Sequence, residues 1–425
     1  MGLVLAFTFA SNAYPSMNLN AFEKPGYLCR GPVRMIDSSE NSLAEIILNS
    51  NQATDMSQVG MPGLYDLETG RRIQNTSEAA LCLMVSLRED SDALKIRVYD
   101  TEKEEFVTGS FGLNTSEYCF NADTGEMMTG LAELPFRNNP NRASLAYFSK
   151  KSDSEYGRRI TGWIKDKKDG QDILMYCPLT NWEVIADDFC LTEKGLIYAD
   201  EDGIIQKGTF QVGEDTFKSD DNGIIQTRNN QPVFPAYTQE GEEGILRVDD
   251  QKFAAKKGSL TDRLLKAASP AAEKAIYTSA GRDYPEKVDC IGFAVGVLSE
   301  VSGQKIKTGS VHQFVSDSDN GSFIPMSKAR PGDLIIYEGT YIPPCGIYTH
   351  AALYLGDNMV LSMDYRGLSI QEIDSIEDYN GEPASYRAFR TVLDLSEKKT
   401  EKKEKEQPEP SSNGAGNKKG NFSES

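Results

Sequence analysis

Between residues 106 and 250, short aromatic and apolar runs alternate with Gly, Asp and Asn, and the pattern repeats. "DGIIQKG" (Asp202 to Gly208) returns as "NGIIQTR" (Asn222 to Arg228). A looser copy, "YCFNADTGEMMTGL", spans Tyr118 to Leu131, and "GRRITGW" spans Gly157 to Trp163. Gly125/Gly130, Gly157/Gly162 and Gly203/Gly208 share one offset. "GSFGLNTSEYCFNADTG" (Gly109 to Gly125) parallels "GTFQVGEDTFKSDDNG" (Gly208 to Gly223). Each unit reads as an aromatic strand, an acidic-Gly turn, a short apolar strand and a Gly. That predicts stacked β-hairpins of about 20 residues.

From Gly258 the period changes. "SLTDRLLKAA" and "SPAAEKAIY" predict two helices, the second with Ser269 as N-cap and Pro270 at its first position. In "VDCIGFAVGVLSEVSG" (Val288 to Gly303), Ile291, Ala294, Val295, Leu298 and Val301 recur at helical spacing. Asp289 is the N-cap candidate and Gly303 the stop. "ARPGDLIIY" predicts a Pro-Gly turn into a strand. "THAALYLGDNMVLSMDYRGLSI" predicts strands Ala351–Leu355 and Met359–Met363 around Gly356-Asp357-Asn358. Residues 14–105 contain strand-like "EAALCLMVSLRED" and "ALKIRVYD" and a degenerate hairpin, "LYDLETGRRIQNT", with no chemistry assigned. The stretch 396–425 is nearly free of aliphatic residues and predicts a disordered tail.

The 425 residues have room for two or three domains. A formal charge of −19 argues against nucleic acid and anionic membrane as partners. No apolar run of about 18 residues predicts a transmembrane helix. Leu3–Ala10 with Ser11-Asn12-Ala13 reads as a secretion signal lacking its positive n-region, or as a buried first strand, or as a mis-assigned start. Cys29, Cys82, Cys119, Cys177, Cys190, Cys290 and Cys345 are odd in number. They form no CxxC and stand with two histidines, which argues against structural zinc.

Cys290 would occupy the first turn of its helix. Unpaired N–H groups and the helix dipole there favour a thiolate and predict a lowered pKa, hence a nucleophile. A buried core cysteine is the competing reading. A base must come from His312 or His350. His350 opens a strand, whereas His312 lies in a polar connection suited to surface or packing duty. With a three-residue hairpin loop His350 faces Asp364; a two-residue slip puts Ser362 opposite instead. Asp364 is the stronger acceptor, and it also begins the turn "DYRG".

These residues carry a resemblance. Tyr277-Thr-Ser-Ala280-Gly281, Asp289-Cys290-Ile291-Gly292-Phe293, Pro331-Gly332-Asp333-Leu334 and His350-Ala-Ala-Leu-Tyr354-Leu-Gly356 follow, in order and spacing, the pattern of NlpC-type cell-wall cysteine peptidases. It covers residues 270–373. Ile291, Ala280 and Ser362 stand where that family commonly has serine, glycine and histidine. The repeats resemble cell-wall-binding (choline-binding-like) hairpins, with Phe111 and Phe210 near expected tryptophan positions and only Trp163 following Gly in the full pattern.

The resemblance implies an α+β fold: a papain-like C-terminal domain after an all-β hairpin-repeat region, with a disordered C-terminal tail. The expected boundaries are 1–13 for the incomplete signal, 14–105 for a β-rich region, 106–250 for repeats, 255–395 for the peptidase domain and 396–425 for the tail. It implies Cys290 as nucleophile, His350 as base, and Tyr277 and Asp289 lining the substrate site. The reaction implied is hydrolysis of stem-peptide amides in peptidoglycan by a secreted or wall-associated enzyme, without metal or organic cofactor. Two alternatives stay open: an inactive wall-binding or adhesive protein, and an amidase or acyltransferase on a non-wall substrate. Cys345 has three open roles: groove wall, disulfide partner of Cys290, or loop residue.

Overall fold

A computed structural model describes residues 63–68, 72–88, 91–113, 116–136, 139–150, 156–179, 183–340 and 347–396. The incomplete signal, Cys29, Cys345 and the sequence beyond residue 396 lie outside the described residues.

The hairpins follow from turn chemistry. Asn121, Asp200 and Asp220 each head a turn, and the Oδ1 of each accepts two backbone N–H groups ahead of it at 2.9–3.1 Å. This is the short-range capture that makes Asn and Asp turn formers. The paired glycines then take positive φ: 65° and 81° at Gly125 and Gly130, 70° and 84° at Gly157 and Gly162, 75° at both Gly203 and Gly208. A side chain disfavours that conformation, which explains the repeating Gly. The second Gly of each pair opens the next hairpin: Gly130–Phe136 with Asn139–Phe148, Gly162–Lys168 with Gln171–Cys177, and Gly208–Val212 with Asp215–Ser219. In the copy ending at Arg228 no such glycine exists. There Ile225–Arg228 stays in the sheet beside Asp215–Ser219, and the chain turns at Asn229 and Asn230 instead.

Aromatic side chains stack one hairpin on the next. The Phe217 ring lies 5.0 Å from Phe189 and 5.7 Å from Phe210, and Tyr198 stacks on Phe210 at 5.6 Å. Upstream, a five-stranded antiparallel sheet covers Gly63–Phe106. Its Leu83, Val85, Ile96 and Val98 share one core with Phe111, Leu113, Tyr118 and Phe120 of the first hairpin, Gly109–Leu113 with Ser116–Phe120. The N-terminal sheet is therefore continuous in packing with the repeats.

Beyond the repeats comes helix α1 (Leu260–Lys274), N-capped by Ser259. The sequence predicted two helices here. The structure has one, with Pro270 inside it. Ser269 is buried mid-helix, where its hydroxyl bonds Glu273 Oε1 and accepts from the Tyr237 amide. Helices α2 (Cys290–Ser302) and α3 (Val311–Ser316) follow. Then a six-stranded sheet is built from β1 (Gly321–Ile324), β2 (Leu334–Glu338), β3 (Tyr348–Gly356), β4 (Met359–Asp364), β5 (Gly367–Glu372) and β6 (Tyr386–Thr391), in the order β1-β6-β2-β3-β4-β5. One face, with Leu334, Ile336, Ala351, Leu353, Leu361 and Phe389, packs on the apolar stripes of α1 and α2. The other, with Ile335, Tyr337, Ala352 and Val360, packs on Ile373, Ile376 and Ala384. Both faces are covered, which is why these strands read as continuous apolar runs.

Phe217 is fully buried between neighbouring hairpins. Phe217→Ala should destabilise the repeat region by about 3 kcal/mol, the cost of a large-to-small change in a core. A lowered urea midpoint of tyrosine and tryptophan fluorescence, against an unchanged midpoint, is the check.

Candidate active site

Backbone pairing brings the site residues together. The short strands Ile276–Tyr277 and Lys287–Val288 run parallel, with Tyr277 opposite Val288, and half-buried Tyr277 therefore lies beside the start of α2. The Asp289 amide donates to the Gly281 carbonyl at 3.2 Å. Asp289 Oδ1 accepts the Gly292 amide at 2.8 Å, the N-cap bond, and pairs with Arg282. Arg282 also donates to the carbonyls of Gly281 and Gly309. A Cβ on Gly292 would collide with the Gly281 carbonyl oxygen, so the helix start and the 278–281 turn touch backbone to backbone. Ala280, where the resembling family has glycine, holds φ at 59°. Asp289 was expected to line the substrate site; its Oδ1 is engaged in cap and ion pair, and the residue is only 9% exposed.

Cys290 is a free thiol, 3% exposed, at the first position of α2. The helix terminus predicted a lowered pKa. The structure reverses this: burial, with the Asp289 charge, pushes the thiol up to about 12. The amides of Ala351 and Ile291 and the Arg282 charge pull the other way and do not overcome it. Loss of hydration outweighs the dipole.

Cys290 shares one core cluster with Ala351, the residue next to His350 on β3, and the Ala351 amide acts on the thiol. The β3–β4 ladder runs from Tyr354–Val360 to Ala352–Ser362, the register of the three-residue loop, and ends there. At the other end Leu355 is bulged and the turn closes on Asp357 and Asn358, both at positive φ. A second irregularity, between Tyr337 and Glu338 on β2, falls opposite the residue before His350. Such bulges re-aim side chains at strand ends.

Because the ladder stops before His350, Asp364 does not become its cross-strand partner, as the three-residue register predicted. The imidazole instead meets the diagonal neighbour: His350 Nε2 and Ser362 Oγ are 2.8 Å apart. The hydroxyl can accept from an Nε2–H tautomer, leaving Nδ1 able to exchange a proton. The Asp364 carboxylate is committed to Arg366, accepting its amide at 2.8 Å and its Nη2 at 2.7 Å. It reaches His350 only through charge, favouring the imidazolium. Burial outweighs that and lowers His350 to about 4. At neutral pH both groups are therefore uncharged at rest. His312 lies on α3 rather than in the polar connection expected, with its ring stacked on Tyr348 at 5.8 Å. Ser362, the weaker acceptor on chemical grounds, was legible as a candidate but not as the partner, because where a ladder ends is not encoded in alternation.

Among the described residues no group of three or more His, Cys, Asp or Glu side chains is placed to hold a metal ion. No described helix is long and apolar enough to cross a membrane.

Residues 275–382 match the NlpC/P60 family. This segment is an NlpC/P60 domain. Among solved structures, choline-binding protein F of Streptococcus pneumoniae is 16% identical, with 38% of this chain and 49% of that chain covered and a TM-score of 0.24. An NLP/P60-family protein similar to a lipoprotein, from Staphylococcus aureus, is 21% identical over 32% of this chain and 43% of its own, with a TM-score of 0.27. An NlpC/P60-family protein of Bacillus cereus is 22% identical over 40% and 54%, with a TM-score of 0.24. The chain thus spans about half the length of these proteins. No curated protein matches it.

Two outcomes follow for the NlpC/P60 domain. A histidine held near 4 when folded, against about 6.5 when unfolded, contributes stability above the unfolded value and loses it as pH falls toward 4. Urea unfolding at pH 7 and pH 4.5 should show wild type losing roughly 2–3 kcal/mol more than His350→Gln. Ala280→Gly should raise stability by about 0.5–1 kcal/mol, since relief of the left-handed conformation exceeds the added chain entropy; a lower melting temperature would contradict it.

Proposed function

We propose that the NlpC/P60 domain is a cysteine peptidase acting on stem-peptide amides of peptidoglycan, with Cys290 as nucleophile and His350 as base. The observation that carries the reading is the packing of a helix-start thiol in one cluster with Ala351, the residue next to His350, with Nε2 of that histidine held by Ser362. Burial, which disfavours the charged form of each partner, supports general-base attack over a preformed ion pair. As Cys290 Sγ bonds to the carbonyl carbon, its proton passes to His350 Nδ1. The Cys290 backbone amide at the start of α2 helps hold the oxyanion. The imidazolium then protonates the leaving amine, and water, deprotonated by the same nitrogen, hydrolyses the thioester. The Ser362 hydroxyl holds the ring, and the Asp364 charge favours the imidazolium that forms. Asp289 sets the thiol's position, and Tyr277 lies at the helix start, where its hydroxyl can line the cleft.

The repeats serve this reading as a spacer that keeps the domain near a polymeric substrate. A choline cage is not what supports it: the Lys194 ammonium already sits 4.0 Å from the Trp163 ring centre, and Glu193 takes the indole N–H at 2.6 Å. Peptidoglycan as partner and a location at the cell wall belong to the same proposal, as does the expected absence of a metal or organic cofactor.

Purified chain incubated with defined muropeptides should release fragments whose masses identify the cleaved amide. Cys290→Ala and His350→Ala should abolish release, and Ser362→Ala should lower kcat about tenfold. Full release by Cys290→Ala would remove the nucleophile and the proposal with it. Binding to wall without release by wild type would favour the inactive adhesive alternative.

A further inference from the structure

The turn joining β4 to β5 does not stay within its own domain. Arg366 Nη2 bonds Asp364 at 2.7 Å while its Nη1 pairs with Asp188 of the repeats at 2.6 Å. Its carbonyl accepts the Leu191 amide at 2.7 Å. A Cβ on Gly367 would stand 3.1 Å from Leu191 Cβ, so the two backbones approach as closely as packing allows. The Tyr365 side chain packs into the repeat core of Tyr176, Ile185, Cys190, Ile197 and Ala199. Asp249, in the turn of the last repeat hairpin, is close enough to feel the charges of Asp188, Arg366 and Asp364. The strand entering the turn, β4, is the one that carries Ser362.

We propose that the repeat hairpin Asp188–Ala199 is a positioning element of the peptidase site: by gripping Tyr365 and Arg366 it holds β4 so that Ser362 can orient the imidazole of His350. The inference rests on the hydrolase reading above. The contacts are of three independent kinds, an ion pair, a backbone hydrogen bond and an apolar insertion, and all converge on two consecutive residues. Asp364 links them to the site, because its charge acts on His350 and its carboxylate is shared with Arg366. The repeats thereby do more than tether: they complete the support of the strand opposite the base.

The test uses the full chain carrying His312→Gln, so that His350 supplies the single imidazole signal in a proton NMR titration. Arg366→Gln should raise the His350 midpoint by roughly one unit, because Asp364 loses its counter-ion. Asp188→Asn should move it the opposite way by roughly a few tenths, because a negative charge is lost and Arg366 turns wholly to Asp364. On a soluble muropeptide, where tethering to polymer is irrelevant, Asp188→Asn should lower kcat roughly tenfold with KM unchanged, and Asp188→Glu should recover most of it. Folded variants with the wild-type midpoint and wild-type kcat would overturn the proposal. Should wild type leave muropeptides intact, the hydrolase reading falls, and the Asp188→Asn midpoint shift alone decides whether the hairpin acts on His350.

Discussion

One carboxylate determines where the Cys290 thiol is located. Asp289 caps α2 through the Gly292 amide and is itself held by Arg282, which is anchored on two carbonyls. The cap fixes the first turn of the helix, and the first turn carries Cys290. Gly281 and Gly292 let the backbones touch, so no side chain separates the helix start from the turn that leads to it. Moving that start by a fraction of a turn would carry the sulfur away from the Ala351 amide.

Desolvation then decides the resting state. A helix terminus and a nearby guanidinium both favour a thiolate, and in a wet cleft they would prevail. Here the sulfur is largely withdrawn from water against the apolar layer between α2 and the sheet, and the penalty for charge is larger than either attraction. The same penalty keeps the imidazole neutral. In the proposed reaction each group stays uncharged until proton transfer makes both charged together, when their mutual attraction offsets part of the cost.

The repeats and the NlpC/P60 domain are less separable than a string of domains suggests. The first hairpin shares a core with the N-terminal sheet, and the last repeat sheet packs on α1 through Leu246 and Val248. Between these, the Asp188–Ala199 hairpin receives the turn beyond β4. Aromatic stacking gives the array its order, and turn residues give it its period.

Turns and caps are local, and the sequence alone determined them. Asx capture at Asn121, Asp200 and Asp220, the positive-φ glycines, the Asp289 cap and the Gly303 stop each depend on residues a few positions apart. The repeat hairpins and the helix carrying Cys290 were legible for that reason, and the spacing of their motifs singled out Cys290 and His350 as candidates. What only tertiary structure decided is non-local. The continuity of α1 through Pro270 depends on packing against the last repeat sheet, which overrides a local break. The choice of Ser362 over Asp364 depends on where the β3–β4 ladder ends and on Arg366 claiming the carboxylate. The direction of the Cys290 pKa depends on how much water the assembled layers exclude. That quantity belongs to the whole fold, and no short stretch of sequence contains it.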